Sequence, residues 1–148
     1  MPTEMYGKKQ LQWKDFPQRN YAWSPERRRF VRYPCAWKVK FCELSNSELP
    51  EFLHTGKCKN ISQSGMKITS FHALQRNAFV LVQFDLLLFS KHIKLDLILK
   101  ITQNRLLARV VWRHLNLETQ IFEAGLEFLL ETQRAKCKYL IDQACLIR

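Results

Sequence analysis

The spacing of apolar residues changes once along this chain, and that change limits the fold more than any other feature. Residues 36–42 alternate apolar and polar (Ala36, Trp37, Lys38, Val39, Lys40, Phe41, Cys42), the period of a half-buried strand. Further short segments of strand character follow at 54–61, 65–70, 79–84, 92–101, 107–115 and 122–130. In the 92–101 segment Ile93, Leu95, Leu97, Leu99 and Ile101 share one face, and Asn104 supplies a turn after it. The period then switches. Cys137, Leu140, Ile141 and Ala144 fall at i, i+3, i+4 and i+7, one stripe of a helix, with Thr132 predicted to cap its start. Six or seven short strands followed by one terminal helix predict a mainly β fold, a small β-barrel whose interior is filled by side chains. A ligand then has to bind on the outside or at a rim.

A chain of 148 residues that is 47% hydrophobic and 12% aromatic can bury a core, and its length suits one domain with at most a tail. Residues 1–24 read as an N-terminal arm, because Tyr6, Trp13, Phe16, Tyr21 and Trp23 mix with charges there without a period. The domain proper is expected over residues 25–148. The net charge of +11 calls for an anionic partner, and it is uneven: residues 1–40 hold ten Lys and Arg against three acids. The densest point is Arg27, Arg28, Arg29 and Arg32.

Several classes are disfavoured. The five cysteines form no C-x-x-C pair, so a zinc ribbon or a thioredoxin-like site has no support, and the histidines show no ligand spacing. No metal or cofactor is expected. The polar start and the free thiols lead to an expectation of a cytoplasmic protein. Asp85, Lys91, His92, Lys94 and Asp96 interrupt the most apolar region, so an integral membrane protein is not expected. No G-x-S-x-G or phosphate-loop motif is present, and the expectation is a protein that is not an enzyme.

Two local patterns carry chemistry. Arg28 and Arg32 form an R-x-x-x-R spacing with Arg27 directly before it. Arginine presents a planar fork of donors that suits phosphate oxygens and the O6/N7 edge of guanine, and its plane stacks on bases. Asn60, Ser62 and Gly65 form N-x-S-x-x-G at the end of a strand segment. If that stretch is extended, Asn60 and Ser62 present an amide and a hydroxyl on one face, and Gly65 allows a turn with positive φ. Either pattern alone is an ordinary solvated face or turn. Together they describe a site for an anionic ligand with hydrogen-bonding bases.

In that combination the chain resembles the PilZ domain family, bacterial receptors for cyclic di-GMP. The two motifs match the family's RxxxR and D/N-x-S-x-x-G patterns, with Asn60 where Asp is commoner. Residues 108–112, ending in Trp112, are similar to a strand the family often ends with Trp, and Gly125-Leu126-Glu127-Phe128 is similar to its late G-x-x-F strand. The resemblance covers roughly residues 25–147. It implies a six-stranded antiparallel β-barrel with a C-terminal α-helix, preceded here by a flexible N-terminal arm without counterpart in the minimal domain. It implies that Arg28 and Arg32 grip guanine edges and phosphates from a loop that wraps over the ligand, that Asn60 and Ser62 hydrogen-bond a guanine, and that Gly65 shapes the turn. Arg27 and Arg29 are expected as supplementary contacts, and one or two ligand molecules are compatible with the loop. Trp112 either stacks on a guanine or packs within the barrel.

The expected function is therefore a cyclic di-GMP receptor that changes conformation on binding and signals to a protein partner, since no output domain is attached. Family members serve motility, biofilm polysaccharide and virulence, and nothing in the sequence selects among these roles. Two rivals stand beside this reading: a nucleic-acid-binding β-barrel, which the concentration of charge in the arginine cluster disfavours, and a PilZ-like adaptor that binds only protein.

Overall fold

The structure, a computed structural model, describes residues 30–44 and 53–147. Among them are seven strands: β1 (Tyr33–Leu44), β2 (His54–Ile61), β3 (Gly65–Ser70), β4 (Phe79–Gln83), β5 (Lys100–Thr102), β6 (Arg105–Asn116) and β7 (Ile121–Phe128). Every pairing is antiparallel. Round the sheet the order is β4-β1-β2-β3-β7-β6, and β4 pairs back onto β6, so six strands close on themselves. Closure matters because an open sheet edge would present unpaired N–H and C=O groups. The three-residue β5 pairs with β6 alone. Two short helices complete the fold, α1 (Leu86–Ser90) and α2 (Lys138–Cys145).

Two apolar layers hold these elements. Inside the barrel Val39 and Phe41 of β1 meet Cys58 and Ile61 of β2, Met66 and Ile68 of β3, Val80 and Val82 of β4, Leu106, Ala108 and Val110 of β6, and Ala124, Leu126 and Phe128 of β7. Outside, Cys42, Leu44, Phe79, Leu81, Leu99 and Leu107 form a second layer under Cys137, Leu140, Ala144 and Ile147. That second layer explains why β4 reads as an unbroken apolar run. Val80 and Val82 face the interior while Phe79 and Leu81 face the helix, so both sides of the strand are dry. The predicted helical stripe is the docking face of α2.

The mainly β barrel with its terminal helix is the fold expected, and β2 and β3 span the expected residues. The 92–101 strand is not there. Asp85, whose carboxylate accepts from the backbone N–H of Leu87 at 2.9 Å and Leu88 at 3.1 Å, starts α1 instead. A turn and a 3-10 helix at Leu95–Leu97 follow, then a single antiparallel bridge from Ile98 to Leu130, and a strand resumes at Lys100. Ile98 and Leu99 are both fully buried although adjacent, because one faces the interior and the other lies under α2. Leu97, assigned by alternation to the apolar face, is 49% exposed. Thr132 does not cap α2 either. It lies in a 3-10 turn at Glu131–Gln133, and α2 begins after Cys137 with no side-chain cap. Residues 1–29, which include the arm, lie outside the described residues. Among the described residues no helix is long and apolar enough to cross a membrane.

Candidate functional site

The second motif sits where β2 turns into β3. Cys58 and Ile61 both face the interior, which regular alternation over three residues does not allow. The pairing shows how it is done: Cys58 pairs with Ile68 and Asn60 with Lys67, leaving Lys59 as an extra residue in β2. Across the strand, β1 is irregular at the same level, between the Pro34–Asn60 and Trp37–Cys58 pairs. A bulge of this kind re-aims the side chains beyond it. Without it Asn60 would follow Cys58 into the core; with it Asn60 lies on the outer face.

Ser62 and Gly65 close the hairpin. Ser62 N–H donates to the Gly65 carbonyl at 2.8 Å, and Gly65 N–H returns to the Ser62 carbonyl at 3.4 Å. Two-residue hairpins usually rely on positive φ, yet neither Gln63 nor Ser64 has it. Side chains stabilise the turn instead. The Ser62 hydroxyl accepts from Ser64 N–H at 3.3 Å and lies 3.1 Å from the Ser64 hydroxyl. Gln63 makes a two-point contact with the backbone of Lys94, donating to its carbonyl at 3.0 Å and accepting from its N–H at 2.6 Å.

The role of Gly65 differs from the expectation. Its φ is not positive. A Cβ there would lie 2.0 Å from the carbonyl oxygen of Leu126, so glycine is needed because the backbone of β7 passes against it. Gly125 meets a similar demand from another direction: a Cβ would lie 2.0 Å from Nε1 of Trp112. Trp112 pairs with Gly125 just beyond a second bulge, at Val111 in β6. The indole thus lies on the outer surface over Gly125, 38% exposed, and takes no part in the barrel core.

Arg32 is exposed immediately before β1. The chain that follows it is anchored by rings: Tyr33 stacks on His92 with centroids 4.5 Å apart, and Trp37 lies 5.6 Å from the same imidazole. Arg27, Arg28 and Arg29 lie outside the described residues.

These pieces meet. Arg32, Asn60, Ser62, Gly65, Lys67 and Trp112 line one open hollow of about 520 Å³, part of it open to solvent. β3 and β7 run along its floor, and the bulged strands β2 and β6 flank it. Glu127 also lines the hollow, an unwelcome neighbour for an anion, but Arg109 directly across the strand pair lies 2.8 Å from its carboxylate, and both are buried. Lys67 similarly faces Glu123 at 3.6 Å. With Glu127 paired to Arg109 and Lys67 to Glu123, the guanidinium of Arg32 suits the hollow to an anionic ligand, and the Trp112 face offers a stacking surface. Ser64, Gln63, Lys67 and the Arg109–Glu127 pair were not singled out in the sequence. Only the position of Gln63 and Ser64 inside the N-x-S-x-x-G motif could have drawn attention to them.

The PilZ domain family model matches residues 26–143. No curated protein matches the chain significantly.

Proposed function

Because this chain belongs to the PilZ domain family, we propose that it is a receptor for cyclic di-GMP which binds the ligand on the outer face of the barrel and passes the signal to a protein partner. The observation that carries the reading is convergence. Arg32 from the first motif and Asn60, Ser62 and Gly65 from the second, separated by a whole strand in sequence, line one hollow together with Trp112. In the proposed complex Arg28 and Arg32 take guanine edges and phosphates, with Arg27 and Arg29 as further contacts. Asn60 bonds a guanine, and Trp112 stacks on a base. The Ser62 hydroxyl is already engaged within the turn, so its main part is to hold the hairpin in shape while keeping a lone pair for the ligand. The two phosphates neutralise Arg27, Arg28 and Arg32 and draw their segment onto the hairpin, which changes the surface offered to the partner. No catalytic step is part of the reading.

Titration calorimetry with cyclic di-GMP tests it. Binding tighter than about tens of micromolar is expected. Arg28→Ala and Asn60→Ala should each weaken binding by roughly tenfold or more, the loss of one charge-assisted or bidentate contact. Absence of binding by folded protein, or an unaltered Arg28→Ala variant, would overturn the proposal. A second reading has its own observation. Lys38 and Lys57 face each other across β1 and β2, an unfavourable like-charge pair, with Lys40 and Lys59 exposed on the same face. Steeply salt-dependent binding of an oligonucleotide that persists in saturating cyclic di-GMP would favour a nucleic-acid partner.

A further inference from the structure

We propose that Cys35 and Cys58 are a redox-modification site, a thiol pair that a hydroperoxide converts to a reversible disulfide and so weakens the ligand site beside it. The pair stands apart from the other cysteines. Cys42 and Cys137 are buried in the layer between α2 and the barrel and Cys145 is exposed on α2; burial pushes the thiols of Cys42, Cys137 and Cys58 all upward, so what sets the pair apart is the contact between its sulfurs. Cys35 is partly exposed and Cys58 is buried in the barrel. Their sulfurs lie 3.4 Å apart, and the Cys35 thiol is 3.2 Å from the Cys58 carbonyl. The two residues sit on adjacent antiparallel strands at the irregular step between the Pro34–Asn60 and Trp37–Cys58 pairs. Drawing the sulfurs from 3.4 Å to about 2.0 Å is a small adjustment at a step that is already irregular.

The chemistry balances with one oxidant. The partly exposed Cys35 sulfur attacks a peroxide oxygen, the O–O bond breaks, and Cys35 becomes a sulfenic acid with loss of water. The Cys58 sulfur then attacks the Cys35 sulfur; the S–S bond forms, the S–O bond breaks, and the departing hydroxide leaves as water with the Cys58 proton. Two thiols and one hydrogen peroxide thus yield one disulfide and two waters. Two equivalents of a small thiol reduce the disulfide by exchange through a mixed disulfide, returning both cysteines as thiols and leaving the small thiol as its own disulfide.

The link to the site is the Cys58 thiol hydrogen. It is directed at the carbonyl oxygen of Asn60, 3.3 Å away. Disulfide formation consumes that hydrogen, so the peptide that carries Asn60 loses a partner at the moment the strand root below Arg32 is pulled inward. This consequence for binding rests on the cyclic di-GMP reading; the disulfide itself does not.

The test treats reduced full-length protein with hydrogen peroxide, blocks remaining thiols, and maps the peptides. A Cys35–Cys58 linked peptide that dithiothreitol dissolves is expected, unaffected by Cys145→Ser and absent in Cys35→Ser. Cyclic di-GMP should bind the oxidised protein about two- to five-fold more weakly, the effect of losing one weak hydrogen bond, and Cys35→Ser should be insensitive to peroxide. Cys35 and Cys58 recovered as blocked thiols, or only intermolecular disulfides through Cys145, would overturn the site. Equal affinity before and after formation of the linkage would overturn its control of binding. If the reduced protein does not bind cyclic di-GMP at all, the receptor reading fails while the peptide map still decides the disulfide.

Discussion

Replacing Gly65 with alanine places a methyl group 2.0 Å from the carbonyl oxygen of Leu126, a backbone atom that no rotamer change can move. Ordinary contact near 3.4 Å then requires β3 and β7 to part by about 1.4 Å. The bond from Phe128 N–H to the Ser64 carbonyl, 2.9 Å long, would open well past hydrogen-bond range under that displacement. Overpacking of about 1–3 kcal/mol, with one or two lost backbone bonds at about 1 kcal/mol each, predicts a destabilisation of roughly 2–5 kcal/mol. For a domain of this length that lowers Tm by roughly 5–20 °C. Gly125→Ala is the internal control. Its methyl would also lie 2.0 Å from an atom, but that atom is Nε1 of the half-exposed Trp112, which can swing outward. It should cost about 1 kcal/mol or less while altering tryptophan fluorescence and ligand affinity. Urea denaturation of both variants, followed by calorimetric titration, decides the matter. Gly65→Ala with a loss under about 1 kcal/mol, or two variants equally destabilised, would refute the reasoning that the floor of the hollow is set by backbone approach.

Three other outcomes follow from the same packing. Glu127→Gln or Arg109→Met alone should destabilise by about 3–5 kcal/mol, because each leaves a buried charge without its partner, whereas the double variant should recover much of the loss in a thermodynamic cycle. Leu140→Ala, which empties space under α2 at a residue 3% exposed, should cost about 2–5 kcal/mol by urea denaturation without weakening cyclic di-GMP binding, since α2 lies away from the hollow. Burial, helped by the His72 ring stacked 3.5 Å away, holds His54 below the usual imidazole range, with Glu43 acting in the opposite sense. The unfolded chain therefore takes up a proton first, and stability present above about pH 6.5 is lost as the pH falls below it. A thermal melt should show Tm dropping between about pH 7 and pH 5, with a shallower drop in His72→Gln.

The strands that could be read in advance are those with one wet face. Along β1, Lys38 and Lys40 alternate with Val39 and Phe41 because one side meets water and the other the core, and that contrast is written in the residues. Residues 92–101 defeated the same logic because buried Ile93 and Leu95 alternate with exposed Lys94 and Asp96 in a turn and a 3-10 helix, which imitates a strand, while the adjacent Ile98 and Leu99 serve two different cores and carry no phase. Asp85 held the missing clue. As a helix cap before three leucines it starts α1, but beside an apolar strand it reads as an interruption. The motif residues of the site were legible because their types and spacing are chemical demands. Their orientation was not, since the extra residue at Lys59 looks like any other lysine until β3 is laid beside it. Likewise the need for Gly65 is set by Leu126, sixty-one residues away, and no local pattern announces a neighbour at that distance.

The barrel can be viewed as a rolled hydrogen-bond lattice with two dislocations, at Lys59 and at Val111, on either side of the β3–β7 seam. Each offsets the rows beyond it by one residue, so the interior keeps its own register while the exterior acquires another. The hollow lies where both offsets reach the surface. Deleting either extra residue would leave every ligand-reading side chain in the sequence and still send Asn60 or Trp112 to the wrong side of the wall. The inner packing and the outer chemistry can therefore vary separately so long as those two inserted residues persist.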